Sequence, residues 1–303
     1  MPVFILDKPL GLTSHDVVAR ARKTLKTKAV GHAGTLDPLA TGVLVLLSDE
    51  ATKLSPFLTA SEKRYLAWVS FGAATPTLDA EGPVSGTGDA SGLTAQAIEA
   101  ALPPFLALTE QVPPQYSAVK RGGVKGYEAA RKGEVLELGP RPAGYKTVTL
   151  LGFGGSRSAL NPPLPRLDLP PTLGGFPTAL LDLNVQAGTY VRSFARDLGA
   201  ALGVPAHLSG LVRTYSGRFS LENAVALDDL PTAAGLALAD ALPYPLTELT
   251  AAEAARVRQG QQLPSATLKD GRIGLVDEAR TLVAVAEVQA GRMTLLRVWH
   301  GAS

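Results

Sequence analysis

The sequence predicts an α+β protein, with a large domain over residues 1–245 and a small β-rich one over residues 246–303. Three observations carry this reading. Apolar runs of strand length recur at Phe4-Ile5-Leu6, Val43–Leu47, Lys63–Gly72, Val148–Phe153, Ala179–Val185 and Leu208–Thr214. Segments of helical period lie between them, after Ser14, Thr94 and Ser193. A break at Pro243 and Pro245 is followed by one short helix and three short strands.

Composition bounds the function classes. The 303 residues suit one large and one small domain, and 46% hydrophobic with 18% charged residues indicates a globular chain. No apolar run nears the roughly 20 residues that span a bilayer. Met1–Lys8 lacks the pattern of a secretion signal, so a cytoplasmic protein with no membrane association is expected. The absence of cysteine excludes disulfides and thiolate zinc sites, and the four histidines (His15, His32, His207, His300) show no ligand spacing. Net charge is only +2, but Arg20, Arg22, Lys23, Lys26 and Lys28 lie together. Lys120, Arg121, Lys125, Arg131 and Lys132 form a second basic group. Each fits a solvated face or a phosphate-contacting patch.

Taken in order, Phe4–Leu6 is a strand and Lys8–Leu12 a turn. Ser14 is read as the N-cap of a helix with Asp16 in its first turn and Val17, Val18, Ala21 and Leu25 on its apolar face. The run from Gly31 to Leu46 then places one carboxylate, Asp37, among glycines and before Pro38. A residue before proline is excluded from a helix interior and a central strand, so Asp37 is expected on a rigid loop. Gly31, Gly34 and Gly42 let that backbone bend, and Val43–Leu47 is long enough for a buried strand. By spacing alone, Asp37 is either a nucleophile or base, or the polar residue of an Asx-type turn.

Ala51–Leu58 reads as a short helix. In Lys63–Gly72, Tyr65, Ala67, Val69 and Phe71 share one side and Leu66, Trp68 and Ser70 the other, so an interior strand is expected. Thr75–Gly82 is a breaker-rich loop, and Thr94 opens a helix with Ala97, Ile98, Ala101 and Leu102 on its apolar face. Residues 110–141 mix basic groups, tyrosines and glycines, which suits a mobile RNA-contacting flap and a plain surface excursion equally. Residues 154–178 are rich in Gly, Pro, Ser and Leu and read as an exposed insertion. Ser193–Leu202 is a helix closed by Gly203 and Pro205, and Ala233–Leu242 another. Beyond Pro245 come a helix at Ala251–Val257 and strands at Ile273–Val276, Leu282–Val288 and Met293–Trp299, with Gln289–Arg292 as a hairpin turn. So small a unit is expected to lean on the larger domain.

The run Gly31-His32-Ala33-Gly34-Thr35-Leu36-Asp37-Pro38-Leu39-Ala40-Thr41-Gly42-Val43-Leu44 closely resembles the catalytic motif of the TruB family of tRNA pseudouridine synthases, G-H-x-G-x-L-D-P-x-A-x-G-x-L. Lys63-Arg64-Tyr65 resembles the family's K-x-Y segment, Gly188–Arg192 its G-T-Y-x-R segment, Leu211-Val212-Arg213 its L-x-R segment, and Leu6–Gly11 its L-x-K-P-x-G segment. Together these matches cover most of residues 3–217. The resemblance implies the pseudouridine synthase fold, a largely antiparallel mixed sheet, followed by a PUA-like RNA-binding domain. It implies isomerisation of uridine 55 in the tRNA T-loop, with Asp37 as nucleophile, Arg192 as its ion-pair partner and Tyr65 stacked on the base as the proposed proton acceptor. Tyr190 and Leu211 would line the base pocket, and His32 would fill the space left in the RNA by the flipped base. Lys8, Gly34 and Asp79 join the substrate-binding set by the same match. The partner implied is tRNA, with no obligate protein partner and a monomeric enzyme.

The chemistry accounts for these residue types. Moving the glycosidic bond from N1 to C5 gains and loses no electrons, so no cofactor or metal is expected. The carboxylate has three routes open: attack at C6, attack at C1′, or assistance to proton loss from C2′. A paired arginine would offset desolvation of the carboxylate under the base. Two departures stand out. Pro76 replaces an acid of the family's T-D-T-x-D run, and residues 154–178 look like an addition. Two other functions are weighed: a non-catalytic tRNA-folding chaperone at the tRNA elbow, and an aspartyl-phosphate phosphotransferase, which would need magnesium-binding acids that do not follow Asp37 closely.

Overall fold

The computed structural model describes residues 2–300 except 118, 161, 163, 165, 166, 266 and 267, and the side chains of Lys120, Arg121, Lys125 and Arg131 are also outside the described set. The second basic group therefore lies largely outside the described residues. Nine strands among the described residues form one mixed sheet. They are β1 (Val3–Lys8), β2 (Val30–Ala33), β3 (Ala40–Ser48), β4 (Lys63–Phe71), β5 (Tyr145–Gly154), β6 (Thr178–Val185), β7 (Ala206–Ser216), β8 (Phe219–Ser220) and β9 (Val225–Ala226). The order is β5-β6-β4-β7-β3-β1-β9, with β8 on β7 and β2 on β3. Pairing is antiparallel except for β3 with β7 and β1 with β9. Strand β3 is buried along its whole length, as a continuous apolar strand must be. One of its edges forks: β7 pairs with Ala40–Gly42, and β2 pairs with Val45–Ser48.

The period-2 reading of β4 gives two faces. Tyr65, Ala67, Val69 and Phe71 enter the main core with Leu181, Leu183, Phe194 and Leu208. Leu66 and Trp68 face the other way, beside Leu180 and Val212, and are covered by Leu160, Leu164, Leu167 and Leu169 of the Pro-rich run. The Trp68 indole donates to the Leu160 carbonyl at 2.8 Å. The described residues of the run thus form a strap over the apolar back of the sheet, which explains leucines at intervals in a stretch otherwise made of breakers.

The helices include α1 (Ser14–Thr24), α2 (Ser55–Thr59), α3 (Ala95–Ala101), α4 (Val191–Ala201) and α5 (Ala251–Arg258). Several expectations need correction. Thr13, not Ser14, caps α1, in a capping box with Asp16. Helix α4 starts two residues early and so carries Arg192 in its first turn. Ala97 is exposed, leaving Ile98 and Leu102 as the buried face of α3 and the residue after it. The helix expected over Ala233–Leu242 shrinks to Leu238–Ala241, because residues 227–232 form a 3-10 segment that contains Pro231.

The C-terminal unit is a four-stranded sheet of β10 (Leu246–Glu248), β11 (Gly271–Val276), β12 (Leu282–Gln289) and β13 (Arg292–Val298), in that order. Strand β10, not foreseen, pairs parallel to β11. The β12–β13 hairpin turns on Ala290 and Gly291, both at positive φ (49° and 73°). The unit has its own small core around Val257, Leu275, Val283 and Met293. It also shares a core with the large domain, where Leu282, Val285 and Trp299 meet Leu54, Phe57 and Val45.

Candidate active site

Asp37 lies on the loop between β2 and β3. The chain turns tightly there, with Ala40 N–H donating to the Asp37 carbonyl at 3.1 Å. Gly34 (φ 95°) and Gly42 (φ 96°) occupy the left-handed region, which a side chain at either position would strain. At Gly42 a Cβ would also lie 2.3 Å from the Arg213 carbonyl. The backbone closes this turn, and the carboxylate, 35% exposed, faces Arg192.

Arg192 is 7% exposed and bridges three parts of the chain. Its Nε lies 2.9 Å from Asp37 Oδ2. That N–H is not aimed at an acceptor, since Nε has no hydrogen-bond partner among the described residues, so the contact is an ion pair rather than an aligned hydrogen bond. Nη1 donates to the Thr77 carbonyl at 3.1 Å and Nη2 to the Tyr116 carbonyl at 2.9 Å. Nη1 is also 3.6 Å from Asp79 Oδ2. Asp79, 2% exposed, accepts from Thr77 Oγ1 at 2.6 Å and from Glu81 N–H at 3.1 Å. Burial pushes its carboxyl up, against the pull of the Thr77 hydrogen bond and of Arg192. Backbone bonds from Ala80 to Leu208 and from Leu208 to Leu78 hold this loop to β7. Pro76, in place of the family's acid, is exposed, and the contacts of Asp79 form without it.

Tyr190 precedes α4, and its backbone N–H donates to Gln111 Oε1 at 3.0 Å. Burial raises the pKa of its phenol, partly offset by Arg192. Tyr65 lies opposite Arg213 in the β4–β7 pair, and Leu211 lies opposite Ala67 there and opposite Ala40 in β3. Both pack in the core that includes Leu36 and Leu39 of the Asp37 loop. His32 is half-buried on β2, its Nδ1 without a hydrogen-bond partner among the described residues. Burial, then the charges of Arg213 and His15, depress its pKa and favour neutral imidazole.

Two members of the expected substrate-binding set are placed differently. Lys8 has no exposed surface, and its ammonium donates to the carbonyls of Pro9 (2.9 Å) and Leu12 (2.6 Å), with Pro38 at 3.5 Å. Burial lowers its pKa to about 8, against the pull of Asp37. Asp79 is buried against Arg192. Both side chains therefore bear on the machinery and not on an open surface. Several contributors are not assigned to the site by the sequence, although Arg213 closes the L-x-R segment and Ser14 reads as a helix cap. Ser14 is buried and bonds to Leu36 of the loop, and Arg213 sits behind the loop. Gln111 roots the segment 110–141, with its Nε2 bonded to the Tyr145 hydroxyl at 2.7 Å. The Val112 carbonyl next to it accepts from Ser193 and Arg196 of α4.

Among the described residues no cluster of three or more His, Asp or Glu could hold a metal ion, and no helix is long and apolar enough to cross a membrane. A partly exposed carboxylate, ion-paired to an arginine fixed on carbonyls, suits attack on a neutral heterocycle or sugar.

The model of the TruB family pseudouridylate synthase N-terminal domain matches residues 22–191, more than half of the chain. The chain belongs to the TruB family. The model of the tRNA pseudouridylate synthase B C-terminal domain matches residues 192–246. Among curated TruB relatives, tRNA pseudouridine synthase B of Thermus thermophilus is 51% identical over 99% of both chains. The Deinococcus deserti protein of that name is 47% identical over 99% of this chain and all of that one. Among solved structures, the chain of a Cbf5-Nop10-Gar1 complex matches with a TM-score of 0.69 at 25% identity, covering 98% of this chain and 84% of that one. A chain of an H/ACA RNP bound to a substrate RNA containing 2′-deoxyuridine shares the fold, with a TM-score of 0.68 at 23% identity. The pseudouridine synthase fold expected for a TruB protein is therefore the one observed.

Proposed function

We propose that this TruB protein converts uridine 55 of the tRNA T-loop to pseudouridine, acting alone as a monomeric cytoplasmic enzyme without a cofactor. The carrying observation is the Asp37–Arg192 ion pair at 2.9 Å, on a loop stiff enough to present the carboxylate. The N1–C1′ bond breaks, the base turns, C5 joins C1′, and the proton of C5 is lost while N1 gains one. Asp37 is the nucleophile, and Arg192 offsets its desolvation as the base covers it. The target base must first leave its stack, at a cost of a few kcal/mol. His32, neutral and with a free Nδ1, fills the vacated place; Tyr190, Leu211 and Tyr65 enclose the base. Gly34 lets the backbone approach it, and Tyr65 takes the proton.

Arg20, Lys23, Lys26 and Lys28 are exposed on α1 and the turn after it, where they are suited to phosphates. Segment 110–141 covers the bound RNA, and the C-terminal PUA-like sheet binds a second part of it. The test is incubation with unmodified tRNA followed by mapping of pseudouridine. Modification is expected at position 55, reduced at least about a thousandfold by Asp37→Asn. Full activity of Asp37→Asn would refute the assignment.

A further inference from the structure

The six residues 34–39 carry the nucleophile outside any helix or strand, yet four of their six carbonyls, those of Gly34, Thr35, Leu36 and Pro38, are held by groups from elsewhere in the chain. Arg213 is the largest contributor. It is 1% exposed, and among the described residues no carboxylate pairs with it. Its Nη2 donates to the Gly34 carbonyl at 3.0 Å, Nη1 to Thr35 at 3.2 Å and Nε to Val43 at 2.7 Å. Val43 lies where β7 leaves the β3 edge and before β2 joins it, so its carbonyl has no strand partner on that side. The guanidinium fills the fork and reaches from it to the loop. Ser14 holds the next residue in both directions, with Oγ donating to the Leu36 carbonyl at 3.0 Å and accepting from Leu36 N–H at 2.8 Å. Beyond Asp37, Gly11 N–H donates to the Pro38 carbonyl at 2.9 Å.

Desolvating a guanidinium without an acid is costly, and carbonyl dipoles alone recover only part of that cost. An apolar side chain could fill the same volume more cheaply. What it could not do is fix three carbonyls in one plane, which only the rigid fork of arginine donors does. We propose that Arg213 and Ser14 are positioning residues that lock the Asp37 loop in its reactive geometry without touching the substrate. The proposal rests on Asp37 being the nucleophile. A displacement of about 1 Å at a reacting atom costs on the order of 100-fold in rate, which is the effect such a lock prevents.

The experiment compares wild type with Arg213→Lys, Ser14→Ala and Asp37→Asn, using full-length protein and a tRNA transcript. Lysine keeps the charge but cannot reach three carbonyls. Single-turnover pseudouridine formation is expected to fall about 100-fold in Arg213→Lys and about tenfold in Ser14→Ala. RNA affinity should stay within about twofold of wild type in both. That split separates positioning from a general structural role, which would show as lost folded protein or lost affinity. Should Arg213→Lys not fold, Ser14→Ala decides by the same split. Inactive Asp37→Asn beside fully active Arg213→Lys and Ser14→Ala would overturn the lock alone. Active Asp37→Asn would overturn the nucleophile assignment and the lock with it.

Discussion

Ionisable side chains around the Asp37 loop are placed in two ways, and only one of them was legible in the sequence. Asp37 sits where local rules put it, because Pro38 and three glycines restrict the backbone whatever lies around it. Arg192 was reached through the family match. Arg213 was marked only as the end of the L-x-R segment, and its contacts were not readable, because its partners are backbone carbonyls 170 to 179 residues away and carbonyls are the same in every residue. Ser14 was misread for a related reason. Thr13 and Ser14 are both good caps, and only the position of Leu36 decides which of them is free to bond to the loop. The histidines give a prediction at this scale. Burial is the main cause that depresses the pKa of both His32 and His207, the latter with Nδ1 at 2.9 Å from the Ala73 carbonyl. A base that stays neutral when folded but protonates when unfolded favours the unfolded state as pH falls through about 6.5. An NMR titration should place both midpoints below 6.5, and the thermal midpoint should fall between pH 7 and pH 5.

Elements were legible where the period was long and the ends chemically marked. Strand β4 showed two apolar sides and proved to be interior, between β6 and β7. Strand β10 was missed because three residues after a proline carry no period. The helix expected at 233–242 failed because alanine and leucine have high propensity, yet the chain there has Pro231 just before it and little length to exploit. Helices α1 and α5 are closed by matching boxes, Thr13 with Asp16 and Thr250 with Glu253. Thr13→Ala is expected to lower the thermal midpoint at neutral pH by about 2–4 °C. The side-chain and backbone hydrogen bonds from Thr13 depress the Asp16 pKa, so this contribution is present above the ordinary carboxylate range and is lost as pH falls through the folded value. The difference between mutant and wild-type melts should therefore shrink at acid pH.

For the whole molecule, sequence periodicity marked strands but not their neighbours. That β7 and β2 share one edge of β3 depends on partners far apart in the chain. The strap over Trp68 was visible only as a departure from pattern, since Pro-rich composition states what a segment cannot form and not what it covers. The dependence of the C-terminal unit on the large domain was foreseen from size, and it appears as a shared core. Trp299 is central to it, 3% exposed with its indole donating to the Glu50 carbonyl at 3.1 Å. Trp299→Ala is expected to cost about 3–5 kcal/mol in equilibrium denaturation. A loss below about 1 kcal/mol would mean that the two units are only loosely joined.

The fork in the β3 edge also has a consequence in time. Asp37 is made among the first forty residues, but its salt-bridge partner is residue 192 and the guanidinium that holds its loop is residue 213. A growing chain that ends before these residues contains Asp37 without its ion pair and without the carbonyl contacts that hold its loop. The active centre is thus completed late in synthesis, when strand β7 slots between β4 and β3. On the proposed mechanism, a ribosome-bound fragment that ends before then is expected to be chemically silent towards the RNA around it.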